Sequence, residues 1–349
     1  MQIHVLADSP LKIQKIRAVL EPRHRVSAAL LSAAPVAGIT ASSVVVDADL
    51  RNLDNIESIR QSLPKVRGAS QRLFIVDTNM RASVVQAYSL GASSVIPSPL
   101  DARALQHKLA MHYADQQRDP RANVQPKAMS VSAAALAQMF DAVVNGKEVD
   151  VVQAQTATNE IIDTVADTGL TTWLDNVRRY HEGTYQHCLL VTGVAVDFAL
   201  SLGFSPADVK RVGVAATLHD VGKAGIPLEI LDKPGALDDG EMALMQGHAV
   251  LGYDALRGVN GISAEVLDAV RHHHEFLDGT GYPDRLRGAE ISDLVRVLTI
   301  ADIFAALIEA RAYRPPMERA KAYSILLEMA DTKLEKALVV AFKDVALTR

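Results

Sequence analysis

The segment Ala215-Ala216-Thr217-Leu218-His219-Asp220-Val221-Gly222-Lys223 constrains this chain more than any other. A His-Asp pair closes an apolar helical run from Val212 to Val221. An ionised carboxylate on an apolar helix face is costly to bury without a partner. A metal ion offsets that cost and takes the neighbouring imidazole as a second ligand. Such a helix calls for other helices that bring further donors to the same place.

The C-terminal half supplies them on successive helical runs. His187 opens the apolar run Leu189 to Leu202; taken alone, it reads more readily as a packed or capping side chain than as a ligand, with Cys188 beside it a small buried thiol. Gly222 to Pro227 interrupts the helix that carries His219, and Lys233-Pro234-Gly235 marks a turn. Asp238 and Glu241 have the spacing of a capping box, and the helix they start is expected to carry His248. The run Ala264 to Glu275 ends in His272-His273-His274. These are a solvated cluster, or two adjacent members enter one pocket. A glycine-rich loop follows, Asp278-Gly279-Thr280-Gly281-Tyr282-Pro283. Asp302 interrupts an apolar helix expected over Val295 to Arg311 and needs a partner for the same reason as Asp220.

His187, His219, Asp220, His248, His273, His274 and Asp302 together exceed what one tetrahedral zinc takes. Inward-facing donors from several helices of a bundle suit two divalent ions of higher coordination number that share a carboxylate. Mixed nitrogen and oxygen donors without cysteine favour iron, manganese or another first-row ion. Two ions roughly 3.5–4 Å apart can bridge a hydroxide and stabilise both oxygens of an in-line phosphoryl displacement.

A chain of 349 residues has room for a second domain. Residues 1–117 alternate strand candidates (Ile3–Leu6, Val26–Leu30, Val44–Asp47, Leu73–Val76, Ser94–Ile96) with helix candidates (Leu11–Leu20, Asn55–Leu63, Ala82–Leu90, Ala102–Tyr113). That alternation predicts a doubly wound parallel sheet, with Asp8 and Asp47 at the C-terminal ends of strands. The order resembles the receiver domains of response regulators. The resemblance assigns Asp47, or Asp49, to the phosphoacceptor position and Asp8 to half of the acidic pair. Ser9 stands in place of the second acid, Asp77 near the usual Ser or Thr, and Ser98 where the resemblance expects a lysine. A scaffold or dimerisation domain without the switch fits these departures.

Residues 115–130 read as a linker, and Ala134–Val144 and Val151–Thr168 as amphipathic helices that connect the domains or pair with a second copy. The expected organisation is α/β over 1–118, connecting helices over 119–172 and an all-α domain over 173–349. Net charge is -5 with no long basic run, which argues against nucleic acid as a partner. The chain has one cysteine, no apolar run near the ~18 residues of a membrane span, and no signal-like start. A cytoplasmic protein is expected.

His219-Asp220-Val221-Gly222-Lys223 resembles the HDxGK signature of the HD superfamily of phosphohydrolases. His273-His274-Glu275 followed by Gly281-Tyr282-Pro283 resembles its HD-GYP subfamily, with Gly225-Ile226-Pro227 and Lys233-Pro234-Gly235 as further matching segments. The resemblance spans Trp173 to Met317 and implies metal-dependent hydrolysis of cyclic di-GMP to the linear dinucleotide or GMP. It implies that His187, His219, Asp220 and Asp302 bind one ion, and that Asp220 bridges to a second completed by His248, His273 and His274. It implies that Lys223 contacts the reacting phosphate, that the loop at Gly281, Tyr282 and Pro283 borders the substrate, and that Arg311 and Arg314 hold it. It departs at Gly183, where a glutamate brings some members a third metal, and at Ala305, where many keep an acid. Those departures leave room for a catalytically weak module that senses a cyclic dinucleotide or binds a protein. A homodimer in bacterial second-messenger signalling is the expected setting.

Overall fold

The computed structural model describes residues 1–33, 38–77, 83, 86–87, 90–118, 126–178, 183–231, 233, 235–309 and 316–349. They form two compact units, Met1–Ser130 and Val131–Arg349.

The first unit holds strands β1 (Gln2–Ala7), β2 (Arg25–Leu30), β3 (Ser43–Asp47), β4 (Gln71–Val76) and β5 (Ser94–Pro97). All neighbours pair in parallel, in the order β2-β1-β3-β4-β5. Val5 lies between Ala28 and Val45, and β3 is buried along its whole length, as a strand covered on both faces must be. Helix α1 (Pro10–Leu20) starts at Ser9, whose side chain accepts from the Lys12 amide, with proline in the first turn. Asn52 caps α2 (Leu53–Ser62) in the same way. Ile16 and Leu20 of α1 and Leu105 and Leu109 of α3 (Ala102–Arg118) pack on Ile3, Val5, Val45, Leu73 and Ile96. The crossover from β1 to β3 sets the carboxyl ends of those strands side by side, so Asp8 and Asp47 converge. Most of the expected helix 82–90 lies outside the described residues.

In the second unit every described element is helical, apart from one isolated bridge between Asp278 and Arg287. Its centre is α7 (Gly183–Ser201), buried all round and packed on α8 (Pro206–Leu218) and α13 (Asp293–Ile308). Trp173 of α6 (Leu170–Arg178) is fully buried and donates its indole N–H to the Leu189 carbonyl at 3.0 Å. The ring lies over Gly193, where a Cβ would stand 2.1 Å from it. Helix α5 (Val151–Thr168) is capped by Asp150 and buries Ala154, Ala157, Thr158, Ile161 and Val165 against α7 and α8. Residues 131–144 of α4 (Pro126–Val144) meet α5 and α7: Ser132 donates to the Ala157 carbonyl of α5, and Phe140 meets Tyr185 of α7 edge-on at 5.2 Å. The apolar stripes for which a second copy was one expected cover are thus covered within this unit.

Two helix boundaries differ from expectation. After the short helix α9 (Leu228–Leu231), the capping box at Asp238 and Glu241 starts α10 (Asp239–Gln246), but that helix stops at Gly247, and His248 opens a separate helix, α11 (His248–Leu256). The Asp302 helix ends at Ile308 rather than Arg311, because Glu309 turns to extended backbone with ψ 135°. Ile161→Ala should lower stability by about 2–5 kcal/mol, read as a fall in thermal midpoint of the full chain. A midpoint unchanged from the native protein would mean that α5 does not seal the α7–α8 core.

Candidate metal centre

Four helix ends deliver the donors. Helix α8 stops at His219, and Asp220 starts a single 3-10 turn, Val221–Gly225. The break works only with glycine at 222. A Cβ there would lie 2.0 Å from the His248 carbonyl and 2.4 Å from the Gly252 amide, so this turn rests directly on the α11 backbone. That contact sets His248 Nε2 3.3 Å from Asp220 Oδ1. Helix α12 (Ala264–His272) starts at a Ser263 cap and brings the three histidines. His272 turns outward, held by Asp268 at 2.7 Å and Asp284 at 2.8 Å, while His273 and His274 turn in. One turn into α7, His187 Nε2 bonds Asp302 Oδ1 of α13 at 2.9 Å.

The loop after α12 is locked from below. Glu275 is buried and accepts the amides of Asp284, Arg285 and Leu286 at 2.6, 2.9 and 3.1 Å. A Cβ on Gly281 would lie 2.5 Å from the Glu275 Cα and the His274 carbonyl, so only glycine lets the loop fold back. Tyr282 then covers the His274 ring, with centroids 4.7 Å apart and planes at 30°.

Three imidazoles share one device. His219, His248 and His273 donate Nδ1–H to the carbonyl three residues earlier, at Ala216, Met245 and Val270 (2.6, 2.6 and 2.8 Å). A carbonyl cannot donate, so each Nδ1 carries a proton; burial disfavours a second proton on His248 and His273, whose Nε2 atoms each present a lone pair. His248 Nε2 and His273 Nε2 face one another at 3.3 Å, two lone pairs without a proton between them. His219 Nε2 and Asp220 Oδ1 are buried and make no hydrogen bond. A cation satisfies all four atoms at once; a neutral core leaves them opposed.

The seven expected donors fall into overlapping clusters in which all ligand atoms lie within 4.8 Å of one another: His187, His219 and Asp302; His219, Asp220 and His273; and His248, His273 and His274. His219 and His273 each belong to two. The residues present therefore fit more than one ion. Arg311 and Arg314 lie outside the described residues, as do the side-chain surroundings of Gly183. Ala305 is fully buried.

Charge follows position. Burial pushes His248 down to about 4 and His274 to about 3, and drives His273 well below the ordinary histidine value. Burial also opposes charge on His187, but Asp302 and a second carboxylate, Glu309, raise it to about 9. Burial alone would raise Asp220; the Lys223 ammonium on Oδ2 holds it well below the carboxylate range.

Sequence reasoning passed over Glu309, 4% exposed with Oε2 3.5 Å from His187 Nδ1. The signal was its place seven residues after Asp302, on the same helix face two turns on. It also read Glu275 only as part of a motif, not as the anchor of the loop.

In the first unit, Lys12 Nζ lies 3.0 Å from Asp8 and 3.2 Å from Asp47, so an ammonium joins the two carboxylates. Asp8 also accepts the Asp49 amide at 2.7 Å. Asp77 and Ser98 line the same cleft.

Residues 162–338 match the sequence profile of the HD domain. The chain belongs to the HD domain family. It is 33% identical over 200 residues to the cyclic di-GMP phosphodiesterase PA4108 of Pseudomonas aeruginosa, covering 57% of this chain and 48% of that protein. It is 41% identical over 145 residues to the cyclic di-GMP phosphodiesterase response regulator RpfG of Xanthomonas campestris, covering 40% and 38%. It is also 41% identical over 145 residues to the 3'3'-cGAMP-specific phosphodiesterase 3 of Vibrio cholerae, covering 42% and 31%. The chain thus spans about half or less of these relatives. A solved structure, Bd1817 of Bdellovibrio bacteriovorus, described as an HDG"Y"P protein, shares the fold at a TM-score of 0.52 and 19% identity, over 69% of this chain and 77% of that one. Among the described residues, no helix of this HD domain protein is long and apolar enough to cross a membrane.

Loading must displace the His187 proton, whereas His248 and His274 carry none to displace. Divalent-ion affinity should therefore rise roughly tenfold per pH unit from pH 7 and level off near 9. Chelator competition across that range reads the slope, and a flat profile would mean that His187 takes no part in binding.

Proposed function

We infer that this HD domain protein is a metal-dependent phosphodiesterase that hydrolyses cyclic di-GMP to the linear dinucleotide or GMP. The observation that carries the reading is the set of converging Nε2 lone pairs around Asp220, in three clusters that share His219 and His273. Two divalent ions, iron or manganese by the donor set, would supply a water-derived nucleophile and stabilise charge on the phosphoryl oxygens. His187, His219, Asp220 and Asp302 would hold one, and Asp220, His248, His273 and His274 the other. The names of three relatives, two acting on cyclic di-GMP and one on 3'3'-cGAMP, support a cyclic dinucleotide as substrate.

The chain's own residues would orient that substrate. Lys223 fixes a positive charge beside Asp220, where a phosphoryl oxygen approaches the centre. Gly281, Tyr282 and Pro283 form one wall, rigid because Glu275 holds the loop from beneath. Arg311 and Arg314 follow α13 in sequence and would grip the second phosphate or a guanine edge, since a guanidinium forks onto paired acceptors.

Anaerobically purified protein should contain close to two ions per chain and cleave cyclic di-GMP. His219→Ala should abolish turnover, Asp220→Ala should remove both ions, and Arg314→Ala should raise KM more than it lowers kcat. Binding of cyclic di-GMP without cleavage by the fully loaded protein would replace this reading with that of a sensor.

We also propose that the receiver-like unit is not switched by aspartyl phosphorylation. The Lys12 ammonium sits between Asp8 and Asp47, where a divalent ion would have to bind, and Ser98 offers no charge to a phosphoryl group. Acetyl phosphate with magnesium should leave Asp47 and Asp49 unmodified by mass. Stable phosphorylation at either that alters turnover would sink the idea.

A further inference from the structure

Glu309 is a buried carboxylate to which the reading above gives no role. The backbone turns at the end of α13, with the Glu309 amide on the Ala305 carbonyl at 3.0 Å, and this directs the side chain inward to 4% exposure. Its Oε2 lies 3.5 Å from His187 Nδ1, while Asp302 Oδ1 meets Nε2 of the same ring at 2.9 Å. One helix thus holds the imidazole between two carboxylates two turns apart. The contrast with the other ligating histidines is chemical. His219, His248 and His273 rest Nδ1 on neutral backbone carbonyls, and His274 Nδ1 lies 3.7 Å from Asp302, itself a donor; among the described ligating histidines, His187 has Nδ1 beside a carboxylate outside the donor clusters. Glu309 belongs to none of the three donor clusters, so it acts through His187 rather than on an ion directly.

An anionic acceptor on the far nitrogen of a ligating imidazole fixes the tautomer and raises the basicity of the near one. We propose that Glu309 is the positioning residue of His187, and that it sets the affinity of the ion held by His187, His219 and Asp302 without affecting the ion at His248, His273 and His274. The inference rests on the metal-centre reading. It makes the two ions unequal: a carboxylate outside the donor set stands behind one ligand of the first, while backbone carbonyls stand behind His248 and His273 of the second.

The experiment uses the full chain stripped of metal, as native protein, Glu309→Gln and Glu309→Ala. Mn2+ is titrated anaerobically against a chromophoric chelator at about pH 9, where protons no longer compete strongly for His187, and circular dichroism of each stripped protein shows that it is folded. Native protein should bind two ions. Glu309→Ala should weaken one of them by roughly 10–100-fold and leave the other within about twofold. Glu309→Gln should fall between, because the amide oxygen keeps a polar atom beside Nδ1 but brings no charge. Two affinities within twofold of native in a folded Glu309→Ala protein would overturn the inference, as would an equal loss at both sites. Native protein that binds no Mn2+ would instead overturn the metal-centre reading and this inference with it.

Discussion

The candidate centre of the second unit depends on where three imidazole protons reside. Each of His219, His248 and His273 donates Nδ1–H to the carbonyl one turn earlier, a bond available only where a helix ends or begins. Within a helix those carbonyls are taken by amides; at a terminus they are free. The site is therefore built from helix termini: α8 stops at His219, α11 starts at His248, and α12 passes into His273 as its cap. The breaks are made by residues that tolerate them. Gly222 lets the turn after Asp220 touch the α11 backbone, and Gly247 separates α10 from α11. The motif glycine and the motif histidines thus serve one requirement, the exposure of carbonyls and lone pairs to one point.

The two units contain the same elementary problem, converging carboxylates, and resolve it differently. In the first, the Lys12 ammonium bridges Asp8 and Asp47, and Asp8 takes the Asp49 amide besides. In the second, Lys223 reaches Asp220 Oδ2, but Oδ1 and His219 Nε2 make no hydrogen bond, and two further lone pairs oppose each other. A lysine supplies one charge and donates along fixed directions; it cannot satisfy four acceptors in a buried shell. The donor chemistry thus separates a cleft that has its own cation from a centre that needs one from outside.

Much of this was legible in the sequence. The five strands of the first unit were marked by short β-branched runs, and their ends matched to within two residues, because parallel strands buried on both faces read as continuous apolar runs. The ligating side chains stood out for the opposite reason, as polar groups on apolar helices. What could not be read was anything set by packing between distant segments. The covered stripe of α5, the division of the helix at Gly247, and the outward turn of His272 toward Asp268 and Asp284 each depend on a partner far away in the chain or on a local break. Lys12 was passed over because a lysine in a first helical turn is ordinarily solvated, and only the crossover of β1 to β3 brings Asp47 to it.

The same distinction bears on the charges within the centre. His187 and Lys223 lie against Asp302, Glu309 and Asp220, so the carboxylates have cationic partners within the chain. His248 and His273 do not, but neutral imidazoles facing one another are far less unfavourable than bare carboxylates. Burial of α7 among α5, α8 and α13, with Trp173 sealed over Gly193, supplies a core independent of the centre. A divalent ion held there would take the place of these cationic partners. The geometry of the shell, fixed by backbone carbonyls, would not change with it, because none of its three anchoring bonds involves the atoms that would change partner.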